Sequence, residues 1–140
     1  MKMRNKVISL MAVVALMLAM ALPVFAVENG ITPYYNNTAS TEATFTIDEN
    51  GLATIAFTCR GYRGTTSKIE VDTKIERQVG TSWVEVEGAS WADESTLYYC
   101  SQSHSVELTQ TGTYKATVTF TVTGSGGDAD VITRELERTY

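Results

Sequence analysis

Hydrophobic and polar residues alternate with a period of two along much of the chain after residue 42. The clearest case is TYKATVTFTVT, residues 113–123. Its inward set is Tyr114, Ala116, Val118, Phe120 and Val122, and its other face carries threonines and one lysine. This alternation is typical of an antiparallel strand with one buried face. A slip of one residue would bury the threonines, so the pattern also fixes the register.

Seven further stretches show strand-like patterning, and turn residues separate most of them. They are ATFTI (43–47), LATIAFTC (52–59), SKIEVDTKIERQV (67–79), WVEVE (83–87), LYYC (97–100), SVEL (105–108) and VITREL (131–136). The segment GASWADE is expected to connect two of these strands, and the polar SQSHS is expected to interrupt another pair. No stretch after residue 26 has helical periodicity. The pattern predicts an all-β chain of seven to eight strands in a sandwich or barrel.

The first 26 residues predict an export signal with a helical core. Three basic residues precede a long apolar run that ends in Pro23, Val24, Phe25 and Ala26, and cleavage is expected after Ala26. An uncleaved membrane anchor is the alternative, because the run is almost long enough to span a bilayer. The expected layout is a signal peptide at 1–26, an extended arm at 27–42 and a sandwich domain at 43–140. The protein is then secreted, with no membrane contact beyond the signal peptide.

Charge narrows the range of partners. Without residues 1–26 the chain keeps 8 Lys and Arg against 16 Asp and Glu, a net charge of −8. Nucleic acids and anionic membranes attract basic surfaces, so neither is expected as a partner. A monomer that binds an unknown protein or glycan is expected, and no cofactor is predicted.

Several short motifs resemble known domains. TFTIDENGLATIAFTC and QTGTYKATVTFTV are similar to the second and sixth strands of immunoglobulin-like domains. ITPYY, SWVEVEGASW and GTYK resemble a group of uncharacterised short exported proteins of Gram-positive gut bacteria. The resemblance implies a single antiparallel immunoglobulin-like sandwich of about seven strands. It also implies a tyrosine corner at Gly112 and Tyr114, whose hydroxyl bonds to backbone a few residues upstream.

The cysteines are expected to form a bridge. Cys59 faces inward from its strand, and Ala116 stands where an immunoglobulin domain has its second core cysteine. Cys100 is the only other cysteine. Two cysteines in an exported domain favour a disulfide, which predicts that LYYC lies beside or opposite AFTC with Cα atoms within about 7 Å.

Catalytic and metal motifs are weak. Cys100 and His104 are four residues apart, about 13 Å along a continuous strand, which is too far for a nucleophile and its base. Asp128 and Asp130 form a fragment of a calcium site at most, and a solvated hairpin loop is the simpler interpretation. No enzyme activity and no metal site are predicted. A carboxylate-pair hydrolase, or an inhibitor of one, remains the less favoured alternative.

Aromatic residues are the best functional candidates. Trp83, Trp91 and Tyr99 are predicted as candidate binding residues, since exposed rings beside polar groups suit stacking on sugars or contact with proteins. The simpler interpretation places both tryptophans at an edge of the core. The preferred function is a binding or adhesion module for protein or glycan. The alternative is a structural or assembly subunit, in which the arm NGITPYYNNTAS adds as a strand to a neighbour.

Overall fold

A computed structural model describes residues 34–140, which form seven β-strands. In chain order these are β1 (Thr38–Ile47), β2 (Leu52–Gly61), β3 (Thr66–Val79), β4 (Ser82–Ser95), β5 (Tyr99–Glu107), β6 (Thr113–Gly124) and β7 (Asp130–Thr139). The signal peptide and signal helix expected over 1–26 lie outside the described residues. Between residues 34 and 140 no helix is long and apolar enough to cross a membrane.

The strands form two antiparallel sheets. One sheet has the order β1-β2-β5, and the other has the order β4-β3-β6-β7. At one side of the molecule β1 lies against β7, and at the other side β4 lies against β5. The prediction of an all-β chain with about seven antiparallel strands is therefore confirmed.

The core lies between the two sheets and consists of the inward positions of each strand. In β6 the buried residues are Tyr114, Ala116, Val118, Phe120 and Val122. Phe57 of the three-stranded sheet meets Phe120 of the four-stranded sheet edge to face, with ring centroids 5.9 Å apart. Burial of one such side chain stabilises the fold by about 1.5–3 kcal/mol relative to exposure. The residues that the period of two places on the inward faces are therefore the ones that pack between the two sheets.

Strand β4 is longer than its sequence suggests, because it continues through a bulge. Lys74 pairs with Ser90, whereas Glu76 pairs with Glu85, so residues 86–89 stand opposite Ile75 alone. Gly88 within the bulge has a φ of +73°, a conformation that favours glycine. The segment GASWADE, expected as a connection, therefore lies within β4.

Strand β5 is also continuous where an interruption was expected. The polar run SQSHS lies inside β5, which pairs with β2 along its whole length. Ser101 and Ser105 hydrogen-bond to Thr58 and Thr54 on the outer face of the neighbouring strand. Cross-strand hydroxyl pairs of this kind stabilise a sheet without any hydrophobic side chain.

The N-terminal end of the domain is anchored by Asp130, the first residue of β7. One carboxylate oxygen of Asp130 accepts a hydrogen bond from the Asn36 amide at 2.9 Å. The other accepts bonds from the Asn37 amide at 2.7 Å and from the Thr38 hydroxyl at 2.8 Å. We call these four residues the N-terminal clamp. Because β1 starts at Thr38, residues 38–42 of the expected arm are part of the sandwich.

The side chain of Asn37 extends the clamp to the turn between β6 and β7. Its Nδ2 donates to the Asp128 carbonyl at 3.0 Å, and its Oδ1 accepts from the Gly126 amide at 3.0 Å. A Cβ on Gly126 would lie 2.1 Å from the Asn36 carbonyl oxygen, so only glycine fits there. The loop that carries Asp128 and Asp130 is thus fastened to the start of the domain, with the Asp130 carboxylate buried.

Tyr114 begins β6 and ties it to the connection before it. Its side chain is 2% exposed, and its hydroxyl donates a hydrogen bond to the carbonyl of Gln110. This is the bond that a tyrosine corner makes. Gly112, between these residues, has a φ of +142° and exchanges two backbone hydrogen bonds with Tyr140.

Replacement of Tyr114 by phenylalanine is expected to lower the free energy of unfolding by about 1–2 kcal/mol. The ring would stay buried, but the Gln110 carbonyl would lose its donor in a partly buried site. Urea unfolding of the chain without its first 26 residues measures the loss. Tyr34→Phe is the control, because Tyr34 is 91% exposed. Equal stability of the two variants would show that the hydroxyl of Tyr114 contributes nothing.

Cys59 and Cys100 lie directly opposite each other on β2 and β5, so LYYC pairs with AFTC. Backbone bonds from Gly61 to Tyr98 and from Leu108 to Gly51 fix the ladder. In an antiparallel ladder every second residue pair is hydrogen-bonded, and counting from either of these bonds makes Cys59 and Cys100 such a pair. The Cα atoms of a hydrogen-bonded pair are about 5.5 Å apart. That separation suits a disulfide.

The expected disulfide is nevertheless not formed, and both cysteines are buried free thiols. Burial raises the pKa of Cys59 to about 12, with smaller contributions from Cys100 and from the Asp130 charge. Burial also raises the pKa of Cys100, and the charge of Asp93 adds to the shift. Disulfide formation proceeds through a thiolate, which this environment disfavours. The fold therefore places the two cysteines in register and at the same time disfavours their thiolate forms.

Candidate functional site

The three aromatic residues predicted as binding residues lie in three separate places. Trp83 is half-buried on the outer face of the four-stranded sheet, and the Lys115 Nζ atom lies 4.6 Å from its ring centroid. Trp91 is eight residues further along β4 and packs against the core. Tyr99 lies at the start of β5 and is 42% exposed. Their register partners on β3, Gln78 and Thr73, are five residues apart, or roughly 17 Å, and they face opposite sides of the sheet, so the two tryptophans do not share one binding surface.

Trp91 belongs to a polar cluster where the edges of the two sheets meet. Its ring stacks on His104 of β5, with centroids 4.9 Å apart and planes 6° from parallel. The Nε2 atom of His104 lies 2.6 Å from Oδ2 of Asp93 on β4. Both of these side chains are more than four-fifths buried. The cluster therefore fastens β4 to β5, and Trp91 acts as part of that junction.

The position of His104 also decides whether it could act as a base for Cys100. Cys100 and His104 share the inner face of the continuous strand β5, so they stay about 13 Å apart. The nitrogen of His104 that a base would use is already bonded to Asp93. Cys100 therefore has no base within hydrogen-bond reach on its own strand.

Tyrosine and arginine side chains gather at the end of the molecule that holds the β2–β3 and β4–β5 connections. Together with Leu97, which lies among them, they form what we call the tyrosine–arginine surface: Arg60, Tyr62, Arg63, Leu97, Tyr98 and Tyr99. The guanidinium of Arg60 lies 5.6 Å from the ring centroid of Tyr99, its register partner. The guanidinium of Arg63 lies 5.2 Å from the Tyr98 ring and donates a 2.9 Å hydrogen bond to the Tyr98 hydroxyl.

The backbone beneath this surface is held firmly. The Thr66 hydroxyl accepts a bond from the Tyr62 amide at 2.9 Å and donates to the Asn37 carbonyl at 2.6 Å. A Cβ on Gly61 would lie 2.1 Å from the Thr66 oxygen, so the chain passes close to that side chain. The loop that presents Tyr62 and Arg63 is thereby connected to the N-terminal clamp. A rigid loop loses little entropy when it binds a ligand.

The two arginines of this surface are unpaired in the described part of the chain and act on the same tyrosine. Within residues 34–140 none of the ion pairs involves an arginine, so Arg60 and Arg63 have no carboxylate partner. The hydrogen bond from Arg63 lowers the pKa of Tyr98, and the charges of Arg63 and Arg60 act in the same direction. Both guanidinium groups thus act on one tyrosine. The result is a small cationic surface on an acidic protein.

A groove of about 380 Å³ lies at the opposite end, under the overhanging β3–β4 hairpin. Val79 and Val84 line it and are each about half exposed, while Leu108 and Tyr114 lie at the edge of the core beside it. The alternation in SKIEVDTKIERQV predicts that Val79 shares the inward face of β3, but Val79 ends the strand at the β3–β4 hairpin and is half exposed.

Metal binding finds no support in the described part of the chain. Residues 34–140 contain no group of three or more His, Cys, Asp or Glu side chains placed to hold a metal ion. Asp130, half of the carboxylate pair considered as a calcium fragment, uses its oxygens in the N-terminal clamp.

Comparisons with known proteins found no match: no family model, no curated protein and no solved structure resembles this chain significantly.

Sequence reasoning selected Tyr99 but did not select Arg60 or Arg63. The available signal was the stretch RGYRG, residues 60–64, which places two arginines around a tyrosine in an acidic chain. Its meaning depends on the β2–β5 pairing, since that pairing brings Arg60 beside Tyr99. Sequence periodicity alone does not specify which strands are neighbours.

Proposed function

We propose that this protein is a secreted immunoglobulin-like binding domain without enzymatic activity, which recognises a protein or a glycan outside the cell. The strand order supports the immunoglobulin-like assignment, because first, second and fifth strands face a sheet of the other four. A tyrosine bond at the start of the sixth strand is a further feature of that architecture. The export signal expected over residues 1–26 supports the location.

The tyrosine–arginine surface is the observation that carries the binding function. Tyrosine and arginine are enriched among the residues that dominate binding energies at interfaces. Tyr62 and Tyr99 are more than 40% exposed, and Leu97 is 66% exposed. Loops at one end of a sandwich are where such domains commonly bind partners.

Assembly by strand exchange has less support. An exchanged segment would have to include residues before or within β1, but Asn36, Asn37 and Thr38 are bonded to Asp130 of the same chain. The edge strand β4 carries the bulge at residues 86–89, and bulges hinder the addition of a further strand.

Loss of binding on replacement of the exposed tyrosines tests the proposal. We expect Tyr62→Ala and Tyr99→Ala each to weaken binding at least tenfold to any partner found on a glycan array or an extracellular protein panel. Trp83→Ala is the matched control, because Trp83 is an aromatic residue near the opposite end of the molecule. Circular dichroism and urea unfolding verify that each variant is folded. If Tyr62→Ala and Tyr99→Ala bind the partner as tightly as the control Trp83→Ala does, this surface has no binding role.

A further inference from the structure

We propose that the ligand of the tyrosine–arginine surface is a polysaccharide that bears carboxylate groups. This inference rests on the proposed function and adds the chemical class of the ligand. Two features of the surface lead to it: the unpaired guanidinium groups, and the row of hydroxyl groups that continues from them across the outer face of the three-stranded sheet.

The two guanidinium groups favour an anionic ligand. Arg60 and Arg63 have no carboxylate partner within residues 34–140, although acidic residues outnumber basic ones in the sequence. Each lies over a tyrosine ring, which orients its plane and leaves donors free. A guanidinium presents a planar fork of donors that matches a carboxylate in two-pronged geometry. The net charge of the protein would repel an acidic ligand elsewhere, so this surface supplies the local attraction.

The neighbouring hydroxyl groups point to a sugar rather than to an acidic peptide. Next to the Arg60–Tyr99 pair, about 7 Å along the strands, stands the pair Thr58 and Ser101. A shallow depression of about 400 Å³ follows, and its lining includes Ala56, Ser103 and the carboxylate of Glu42 on β1. The neutral rings of the ligand, not its carboxylates, would therefore lie there. The Thr58 and Ser101 hydroxyls bond to each other, and Ser101 also donates to the Phe57 carbonyl. Their remaining lone pairs can accept hydrogen bonds from the hydroxyls of a sugar.

Together these groups form a continuous strip. The exposed ring of Tyr99 at its start offers a stacking platform, and the anion contacts come from Arg60 beside that ring and from Arg63 beside the adjacent Tyr98. Small side chains in the middle leave room for a flat chain of sugar rings. An acidic peptide would gain the charge contacts alone, and a neutral glycan would gain the hydroxyl and ring contacts alone.

Four probes of equal length separate these contributions: dextran, carboxymethyl-dextran, dextran sulfate and poly-L-glutamate. Isothermal titration at 50 mM and 300 mM NaCl measures each affinity. We expect carboxymethyl-dextran to bind most tightly at matched charge density, and to bind more weakly at the higher salt because exposed charges are screened. Tighter or equal binding of poly-L-glutamate or dextran sulfate would overturn the carboxylated-sugar assignment, as would equal binding of dextran.

Charge variants locate the site. Arg60→Gln and Arg63→Gln should each weaken carboxymethyl-dextran binding about tenfold, the loss expected for one hydrogen bond to a charged group. Arg60→Lys and Arg63→Lys should recover only part of it, because lysine keeps the charge but not the planar fork. Arg138→Gln, on β7, removes the same charge elsewhere and should leave the affinity unchanged. An equal loss in Arg138→Gln would show that net charge alone drives binding.

The two proposals can fail separately. If Tyr62→Ala and Tyr99→Ala abolish binding to a partner that the arginine variants still bind normally, the binding surface stands and the anionic ligand class is wrong. If neither the tyrosine nor the arginine variants alter binding, both proposals are wrong.

Discussion

Replacement of Asp130 by alanine is expected to lower the free energy of unfolding by about 3–5 kcal/mol. Asp130 is 7% exposed, and its carboxylate oxygens accept bonds from two backbone amides and one hydroxyl. Its removal would leave these donors without a partner in a buried site, at about 1–3 kcal/mol for each donor. The loss is a large part of the roughly 5–15 kcal/mol that stabilises a typical domain.

Urea unfolding at neutral pH measures this loss, and Asp128→Ala is its matched control. Asp128 lies two residues away in the same turn, and its backbone carbonyl, not its carboxylate, bonds to Asn36 and Asn37. The control should therefore stay close to the stability of the unmodified chain. Similar losses in both variants would mean that the turn as a whole, not the buried carboxylate, anchors the N-terminus.

The clamp also predicts acid sensitivity. Burial by itself would raise the pKa of Asp130, but the bonds from Asn37, Thr38 and Asn36 outweigh it and lower the pKa below its ordinary value. A carboxylate with a lowered pKa stabilises the fold above its unfolded value of about 3.9, and the contribution is lost as the pH falls through the folded value. Asp130→Asn should therefore lose less stability than the unmodified chain as the pH falls from about 5 to about 2, a window that brackets the unfolded pKa.

Oxidation of the folded, reduced protein is expected to join Cys59 to Cys100 and to stabilise the domain by up to about 4 kcal/mol. In the chain-entropy estimate, that value corresponds to a closed loop of about 42 residues. Oxidised glutathione supplies the oxidant: two thiols lose two hydrogen atoms, and one glutathione disulfide is reduced to two thiols. Because the pKa of Cys59 is about 12, the reaction should be slow at neutral pH and faster as the pH rises.

Intact mass before and after oxidation reports the bridge, and urea unfolding reports its stabilisation. The double variant Cys59→Ala with Cys100→Ala should show neither change. Prolonged oxidation that leaves two alkylatable thiols in the folded protein would show that the cross-strand geometry does not permit a bond.

The two redox states should also differ at high pH. An unfolded thiol ionises near pH 9, whereas Cys59 in the reduced fold keeps its proton up to about pH 12. The unfolded state therefore releases a proton first, and the stability of the reduced protein falls from about pH 9 to about pH 12. The oxidised protein has no thiol to ionise and should lose less over that window.

The sequence predicted the parts of the fold that depend on local alternation. In β6 the five inward residues are those that the pattern indicates, and β2 follows the same rule at Ala53, Ile55 and Phe57. The parts that it missed depend on contacts distant in sequence. The segment Thr38–Glu42 shows no clear alternation, and its position at the start of β1 depends on the hydrogen bonds to Asp130. The bulge at Gly88 interrupts the alternation of β4, so one strand resembles two short segments.

The candidate site was predictable to a smaller degree. An outward-facing Tyr99 follows from alternation next to Cys100, and its exposure agrees with that expectation. The simpler interpretation placed Trp91 at an edge of the core, and it lies there, but its partner does not follow from the sequence because the ring stacks on His104 of the other sheet. Arg60 and Arg63 gain their significance from their contacts with Tyr99 and Tyr98, which only the packed arrangement of strands can show.

The N-terminal clamp also determines when the protein can fold. The amides of Asn36 and Asn37 bond to a carboxylate 94 and 93 residues further along the chain. A ribosome makes Asn36 well before Asp130, at roughly 5–20 residues per second. Contacts between such distant residues also form slowly once both ends exist. The hydrogen bonds that hold the start of β1 therefore cannot form until the first residue of β7 has been synthesised.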